Sequence, residues 1–478
     1  MSEIAFRPAH ELARAVRERE VSCRELVEGY LSRIAALNPM VNAVVTLDAE
    51  GARRRAAEAD EALARGELWG PLHGVPVTVK DSLETAGMRT TCGVRELADH
   101  VPDRDAVAVA RLRSAGAVLL GKTNLPPWTM DVHTVNDVFG CTNNPWDLTR
   151  SPGGSSGGAA AALAAGLTGL EVGSDIGGSI RNPAHFCGVY GLKPSWGLVP
   201  LRGHIMGPPG SLAPTDLVVV GPLGRSADDL ELGLDVLAGP DDAAAIGWRL
   251  ELPPPRAAAL RHYRIAAWLD DPACPVEAEL VELMTAAVAA VRARGAVVDE
   301  AARPVDFTMA DGVFAQLLAA PVGAALPQRT YDRLVGLADT EDSAQAARRL
   351  TQRFREWSAA DEERHRLREQ WARFFTEHDV LLCPVVPTAA LPHDHTGDLS
   401  ARTITVDGRP RPAMDQVRWA GVIGMAHLPS VVAPIGRTRA GLPLGIQIVA
   451  PYLEDRTAID VARRLADVVG GFVPPPAL

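Results

Sequence analysis

Glycine and serine crowd into two short turns, GGSSGG at 153–158 and GSDIGGSIR at 173–181, with an alanine-rich run from Ala159 to Leu170 between them. Turns with so little side chain leave backbone N–H groups open to whatever they hold. The run between them is too short and too small-sided to span a bilayer, so it reads as a tightly packed buried helix. Such a helix needs a substantial core around it. The chain has the means to build one: 478 residues, of which 47% are hydrophobic and 22% charged.

Upstream of this block, β-branched runs (VPVTV from Val75, AVLL at 117–120) alternate with helical patterns such as Ala106 to Ser114. That alternation predicts an α/β sheet covered by helices on both faces. Residues 7 to 66 read as helices. Ala9, Leu12, Ala13 and Val16 form one apolar stripe, and Leu26, Tyr30, Ile34 and Leu37 a second, which Ser22 and Glu25 start as a capping box. Residues 250–415 are helical, rich in Arg and Ala and broken by proline-rich stretches, after which LPSVVAPIG and PLGIQIVAP return to strands. Core strands on both sides of a helical middle predict one discontinuous body decorated by an insertion.

Lys and Arg total 48 against 59 Asp and Glu, a net charge of −11 with no long run of one sign. Nucleic acid and anionic membranes both require a concentrated basic face, so neither is an expected partner. The six cysteines stand singly, without the close pairs of a zinc ribbon or redox motif, and read as free thiols of a cytoplasmic protein. The opening MSEIAFRPAHELARAV carries charges where an export signal needs an apolar stretch.

Three motifs carry less than they suggest. GAVLLGKT, Gly116 to Thr123, matches the phosphate-loop pattern, but its four middle residues are themselves a buried strand and leave no flexible turn for a phosphate. GGSSGG satisfies G-x-S-x-G around Ser155 or Ser156, yet polar, proline-containing sequence precedes it instead of the strand that a nucleophile elbow requires. His393, His395 and Asp398 lack a third well-spaced ligand to make a metal site and read as a loop near a pocket mouth.

The turn at 173–181 is more informative. Gly177 and Gly178 just before Ser179 expose consecutive amides, as an oxyanion hole around a nucleophile requires, although a turn that merely caps a helix would read the same. Lys80 ends the apolar run VPVTVK, where partial burial would disfavour its charge. With Ser155 in the other turn, a base and two hydroxyls are present for proton transfer without histidine.

These segments, GVPVTVKDS, GAVLLGKTNL, NPWDLTRSPGGSSGG, GSDIGGSIRNPAHFCGVYGLKP, PVVPT and GLPLGIQIV, closely resemble the amidase signature family. The resemblance implies a large, mostly parallel or mixed twisted sheet covered by helices. Its expected parts are a helical layer over 1–66, a signature core over 67–245, a variable substrate cap over 246–415 and a return to the core over 416–478. It implies Ser179 as nucleophile, Ser155 as bridging serine after a cis Gly154–Ser155 peptide, and Lys80 as base. The amides of Ile176, Gly177, Gly178 and Ser179 would form the oxyanion hole, supported by Asp175 and Arg181.

Trp128, Thr129 and Met130 are expected to line the acyl pocket, faced by His204, Ile205 and Met206, with Phe314, Leu317 and Leu318 in the cap. The implied activity is hydrolysis of a carbon–nitrogen bond in a small aryl or aliphatic amide, with esters and carbamates open to the same route. No metal or organic cofactor is called for, and a homodimer is compatible with the sequence. The family also contains the glutamine-hydrolysing component of tRNA-dependent amidotransferases, which works inside an assembly and shares the same catalytic block.

Overall fold

The computed structural model of the chain describes residues 4–340, 344–397 and 399–476. The run that begins at Val75 and the AVLL run downstream become neighbouring parallel strands of an 11-stranded sheet. Its strands are β1 (Val44–Leu47), β2 (Pro76–Lys80), β3 (Val118–Thr123), β4 (Leu170–Asp175), β5 (Tyr190–Lys193), β6 (Val219–Gly224), β7 (Arg264–Ala267), β8 (Val297–Asp299), β9 (Val380–Cys383), β10 (Ser430–Arg437) and β11 (Pro443–Val449). In space the order is β1-β3-β2-β4-β6-β5-β10-β11-β9-β7-β8. β3, β2 and β4 are parallel, the strands from β4 across to β9 alternate in direction, and β9, β7 and β8 are parallel again. The sheet is thus mixed. Every residue of β2, β3 and β4 is buried, as parallel strands covered on both faces must be, which is why β2 and the first half of β3 read as apolar runs.

The predicted capping box starts helix Cys23–Val41, with Glu25 N donating to Ser22 Oγ at 3.1 Å and Ser22 N to the Glu25 carboxylate at 3.0 Å. This N-terminal layer is not helical throughout, because β1 follows that helix and pairs antiparallel with β3 at the sheet edge. The stretch 246–415 likewise differs from a purely helical insertion: β7, β8 and β9 come from it and extend the main sheet. Their runs, RIAA, VVD and VLLC, are short segments among the long helices Ala278–Ala293, Phe307–Ala324 and Phe354–Glu377. Of those helices, Phe307–Ala324 packs on Phe354–Glu377 and on Asp415–Gly424. Phe307–Ala324 is long and apolar enough by composition to cross a membrane, but its Phe307, Ala310, Val313, Phe314 and Leu317 are buried in this protein.

The alanine-rich run forms helix Gly157–Ala164, buried at all of its residues, before the chain turns into β4. Its small residues are a packing requirement. A Cβ at Gly158 would stand 2.4 Å from the backbone nitrogen of Asn124, so the helix lies directly on the chain leaving β3. Because β2 and β4 run parallel in register, with Val79 opposite Val172, Lys80 and Asp175 end at one edge of the sheet. The carboxyl ends of parallel strands are where α/β sheets place their ligands.

Candidate active site

Lys80 is fully buried at the end of β2. Burial is the largest influence on its ammonium group and lowers its pKa to about 7, against the opposing charges of Cys92, Asp175 and Glu171. Its Nζ stands 2.6 Å from Ser155 Oγ and 3.0 Å from Ser174 Oγ. Ser155 follows a cis Gly154–Ser155 peptide. Ser174 was not foreseen from the sequence. The signal available was its place in the same Gly/Ser block, one residue before Asp175, on the strand beside Lys80.

Ser179 sits in the turn between β4 and helix Arg181–Cys187 and is less buried than Ser155 and Ser174. Ser156 N donates to the Ser179 carbonyl at 3.0 Å, which holds the two Gly/Ser turns against each other. No hydrogen bond joins the Ser155 and Ser179 hydroxyls among the described residues. Catalytic hydrogen bonds often tighten only when substrate is bound.

Asp175 organises the turn. It accepts from the amides of Gly178 at 2.8 Å and Ile180 at 3.0 Å, and pairs through both oxygens with Arg181, at 2.8 Å to Nη2 and 3.1 Å to Nε. Both side chains are fully buried. Burial alone would raise the Asp175 pKa, but Arg181 and the amides hold it down at about 2. Arg181 also donates to the Ala420 carbonyl and to Gln447 Oε1, each at 2.8 Å, tying the turn to the C-terminal part of the chain. Asp175→Asn would leave a buried guanidinium without its counter-charge, and is expected to cost about 3–5 kcal/mol of stability, read by denaturant unfolding.

The same network reaches one of the amides expected in the oxyanion hole. Of the four amides predicted for the oxyanion hole, that of Gly178 is already given to Asp175, while those of Ile176, Gly177 and Ser179 have no partner among the described hydrogen bonds. Gly178 shapes the turn with its backbone at φ +113, where a Cβ would stand 2.4 Å from Asn182 Oδ1.

The two loops expected to line the pocket do meet. Thr129 Oγ1 lies 3.2 Å from Met206 Sδ, and Trp128 packs on Cys92, Leu125 and Ile205. Trp128 and Thr129 both take left-handed backbone, with φ of 53° and 62°. Met130, by contrast, is 40% exposed. His204 is buried with Nε2 unpartnered, and burial first, then nearby Lys80, keeps it neutral with a pKa of about 3. From helix Phe307–Ala324, Phe314 reaches the Ser179 turn: a Cβ on Gly177 would stand 3.3 Å from Phe314 Cζ and 3.6 Å from Val417 Cβ. Val417, on helix Asp415–Gly424, had no sequence signal. Phe314→Ala is expected to raise KM for a hydrophobic amide about tenfold with a smaller change in kcat, because it removes apolar contact and no reacting group.

The phosphate-loop match is structural. Lys122 and Thr123 lie inside β3, and the buried Lys122 Nζ is spent on the Leu83 carbonyl, Thr85 Oγ1 at 2.9 Å and Thr90 Oγ1 at 3.1 Å. Ser156 precedes helix Gly157–Ala164, and its hydroxyl bonds the Ser174 backbone. Asp398 lies outside the described residues, and no hydrogen bond joins His393 or His395 to Lys80, Ser155 or Ser179 among the described residues.

The family model for amidases matches residues 25–459. The chain belongs to the amidase signature family. It is therefore an amide-hydrolysing enzyme. Among curated proteins it is 34% identical over 480 residues to the A-type subunit of glutamyl-tRNA(Gln) amidotransferase from Thermosynechococcus vestitus, covering 95% of this chain and 96% of that one. Among solved structures it is similar to a bacterial aryl acylamidase, with a TM-score of 0.79 and 27% identity over 98% of this chain and 99% of that one. It is similar also to 6-aminohexanoate cyclic dimer hydrolase, with a TM-score of 0.80 and 26% identity over 99% of each chain.

Proposed function

We propose that this amidase cleaves its substrate through an acyl-enzyme on Ser179. The observation that carries the reading is the buried Lys80 amine, of lowered basicity, 2.6 Å from Ser155 Oγ at the foot of the Ser179 turn. Neutral Lys80 takes a proton from Ser155, which takes one from Ser179 as Ser179 Oγ bonds to the amide carbon. Ser174 holds the Lys80 amine in line. The free amides of Ile176, Gly177 and Ser179 receive the carbonyl oxygen as it gains negative charge. When the carbon–nitrogen bond breaks, the proton returns through Ser155 to the departing amine. Water then attacks the ester by the same relay and releases the acid and Ser179.

Two acyl donors have specific support. The Phe314 and Val417 side chains beside the turn favour a neutral aryl or aliphatic amide. The curated relatives, which carry the name of the glutamyl-tRNA(Gln) amidotransferase A-type subunit at similar identity, favour glutamine, with this chain as one component of an assembly. Sequence similarity lends more weight to glutamine than to the small-molecule reading. Initial rates of the isolated chain on L-glutamine, an anilide and an aliphatic amide separate the two. Strong turnover of glutamine with none of the anilide sinks the small-molecule reading, and the reverse sinks the glutaminase one.

A further inference from the structure

Cys141 ends a short hairpin, Val135–Asn136 with Gly140–Cys141. Its Sγ lies 3.4 Å from His393 Nδ1 and 3.6 Å from His395 Nε2, although 252 residues separate it from His393. One donor atom from each of the three side chains lies within 4.8 Å of the others. We propose that Cys141, His393 and His395 bind a transition-metal dication of the zinc type.

The spacing is that of a coordination polyhedron. A tetrahedral zinc with Zn–S of about 2.3 Å and Zn–N of about 2.0–2.1 Å holds its sulfur and nitrogen ligands about 3.5–3.6 Å apart. Both closest sulfur–nitrogen separations lie near that edge length. One thiolate and two imidazoles form a borderline-soft donor set that suits zinc, cobalt or copper, and it lacks the oxygen ligands that magnesium and calcium demand. His395 is exposed, which leaves the fourth position open to water or an added ligand.

The backbone already holds the ligands in place. Asn42 Nδ2 donates to the Cys141 carbonyl at 3.0 Å. The His393 segment is stitched to the chain at 149–151 by Ser151 N to the Leu391 carbonyl at 2.8 Å, Arg150 Nη1 to the Ala390 carbonyl at 2.7 Å and His393 N to the Thr149 carbonyl at 3.3 Å. Binding therefore needs little ordering of backbone, the usual cost of a metal site on loops. An ion there would clamp the segment leading into Ser155 to the segment that carries Thr388, which accepts from Gln416 on helix Asp415–Gly424. It would stiffen the approach to the active site without touching the reacting atoms.

The test uses the full-length chain without a histidine tag, stripped by chelator and titrated with Zn²⁺ and with Co²⁺. One ion per chain is expected, and the cobalt form should show a thiolate-to-cobalt charge-transfer band with the intense visible bands of a tetrahedral site. Cys141→Ser should abolish the charge-transfer band and weaken binding by at least about 100-fold, and His395→Ala, which alters an exposed side chain, by at least about tenfold. Far-ultraviolet circular dichroism confirms that both variants are folded. The assignment fails if the wild-type chain binds no more tightly than Cys141→Ser, or if bound cobalt gives the weak spectrum of an octahedral, thiolate-free site.

Discussion

Ser179→Ala is expected to lower kcat for amide hydrolysis by on the order of 10⁵–10⁶-fold while leaving the unfolding transition unmoved. The chemical half follows from the absence of a substitute. Ser155 is buried against Lys80, and the Ser156 hydroxyl is engaged with the backbone of Ser174, so both hydroxyls are already held by other partners. The structural half follows because the Ser179 hydroxyl makes no hydrogen bond among the described residues, and truncating such a partly exposed side chain changes stability by about 0.5 kcal/mol or less. KM should change little, because the acyl pocket and the amides remain. Initial rates and a thermal scan on the same preparation test both halves, and a serine-reactive fluorophosphonate locates the nucleophile independently. A variant that keeps most of its activity, or an adduct mapped to Ser155 or Ser156, would overturn the assignment.

Lys80, Ser155 and Ser179 stand out in the sequence because each is marked locally, by an apolar run before the lysine and by glycines around each serine, while the role of each comes from the family resemblance. The strands β2 and β3 were legible for a related reason: full burial makes a parallel strand a continuous apolar run. What escaped depends on groups that meet only in space. Ser174 is an ordinary strand serine until β4 is laid beside β2 and its hydroxyl comes within 3.0 Å of Lys80 Nζ. The commitment of the Gly178 amide depends on where the Asp175 carboxylate turns, and no spacing rule encodes that. β7, β8 and β9 were lost in a helical composition because each is only three or four residues long and gains its stability from neighbours in the sheet. Cys141, His393 and His395 show the same limit, since the thiol that meets the two histidines lies in a hairpin more than half the chain away.

Lys80 sets the pH dependence. Only the neutral amine can accept a proton from Ser155, so kcat/KM is expected to be level above pH of about 7 and to fall about tenfold per pH unit below it. Lys80→Met should remove that limb together with at least about 10⁴-fold of the rate. Folding stability carries the same titration with a sign that can be worked out. In the unfolded chain the lysine keeps its proton up to its ordinary value of 10.5, whereas in the folded chain it releases it near 7. Between those values the unfolded state binds one more proton, so the free energy of unfolding rises with pH across the window. The cost of burying this lysine is fully present below pH of about 7 and disappears as the pH approaches 10.5. Lys122 and Lys193, also buried and lowered to about 8 and about 7, contribute in the same direction, so the Lys80 share is the difference between wild type and Lys80→Met. Urea unfolding of both proteins across this range, beside the pH–rate profile, tests the assignment twice. Equal stability slopes in the two proteins would place the lowered pKa elsewhere, and a wild-type rate that stays level well below neutrality would remove Lys80 as the base.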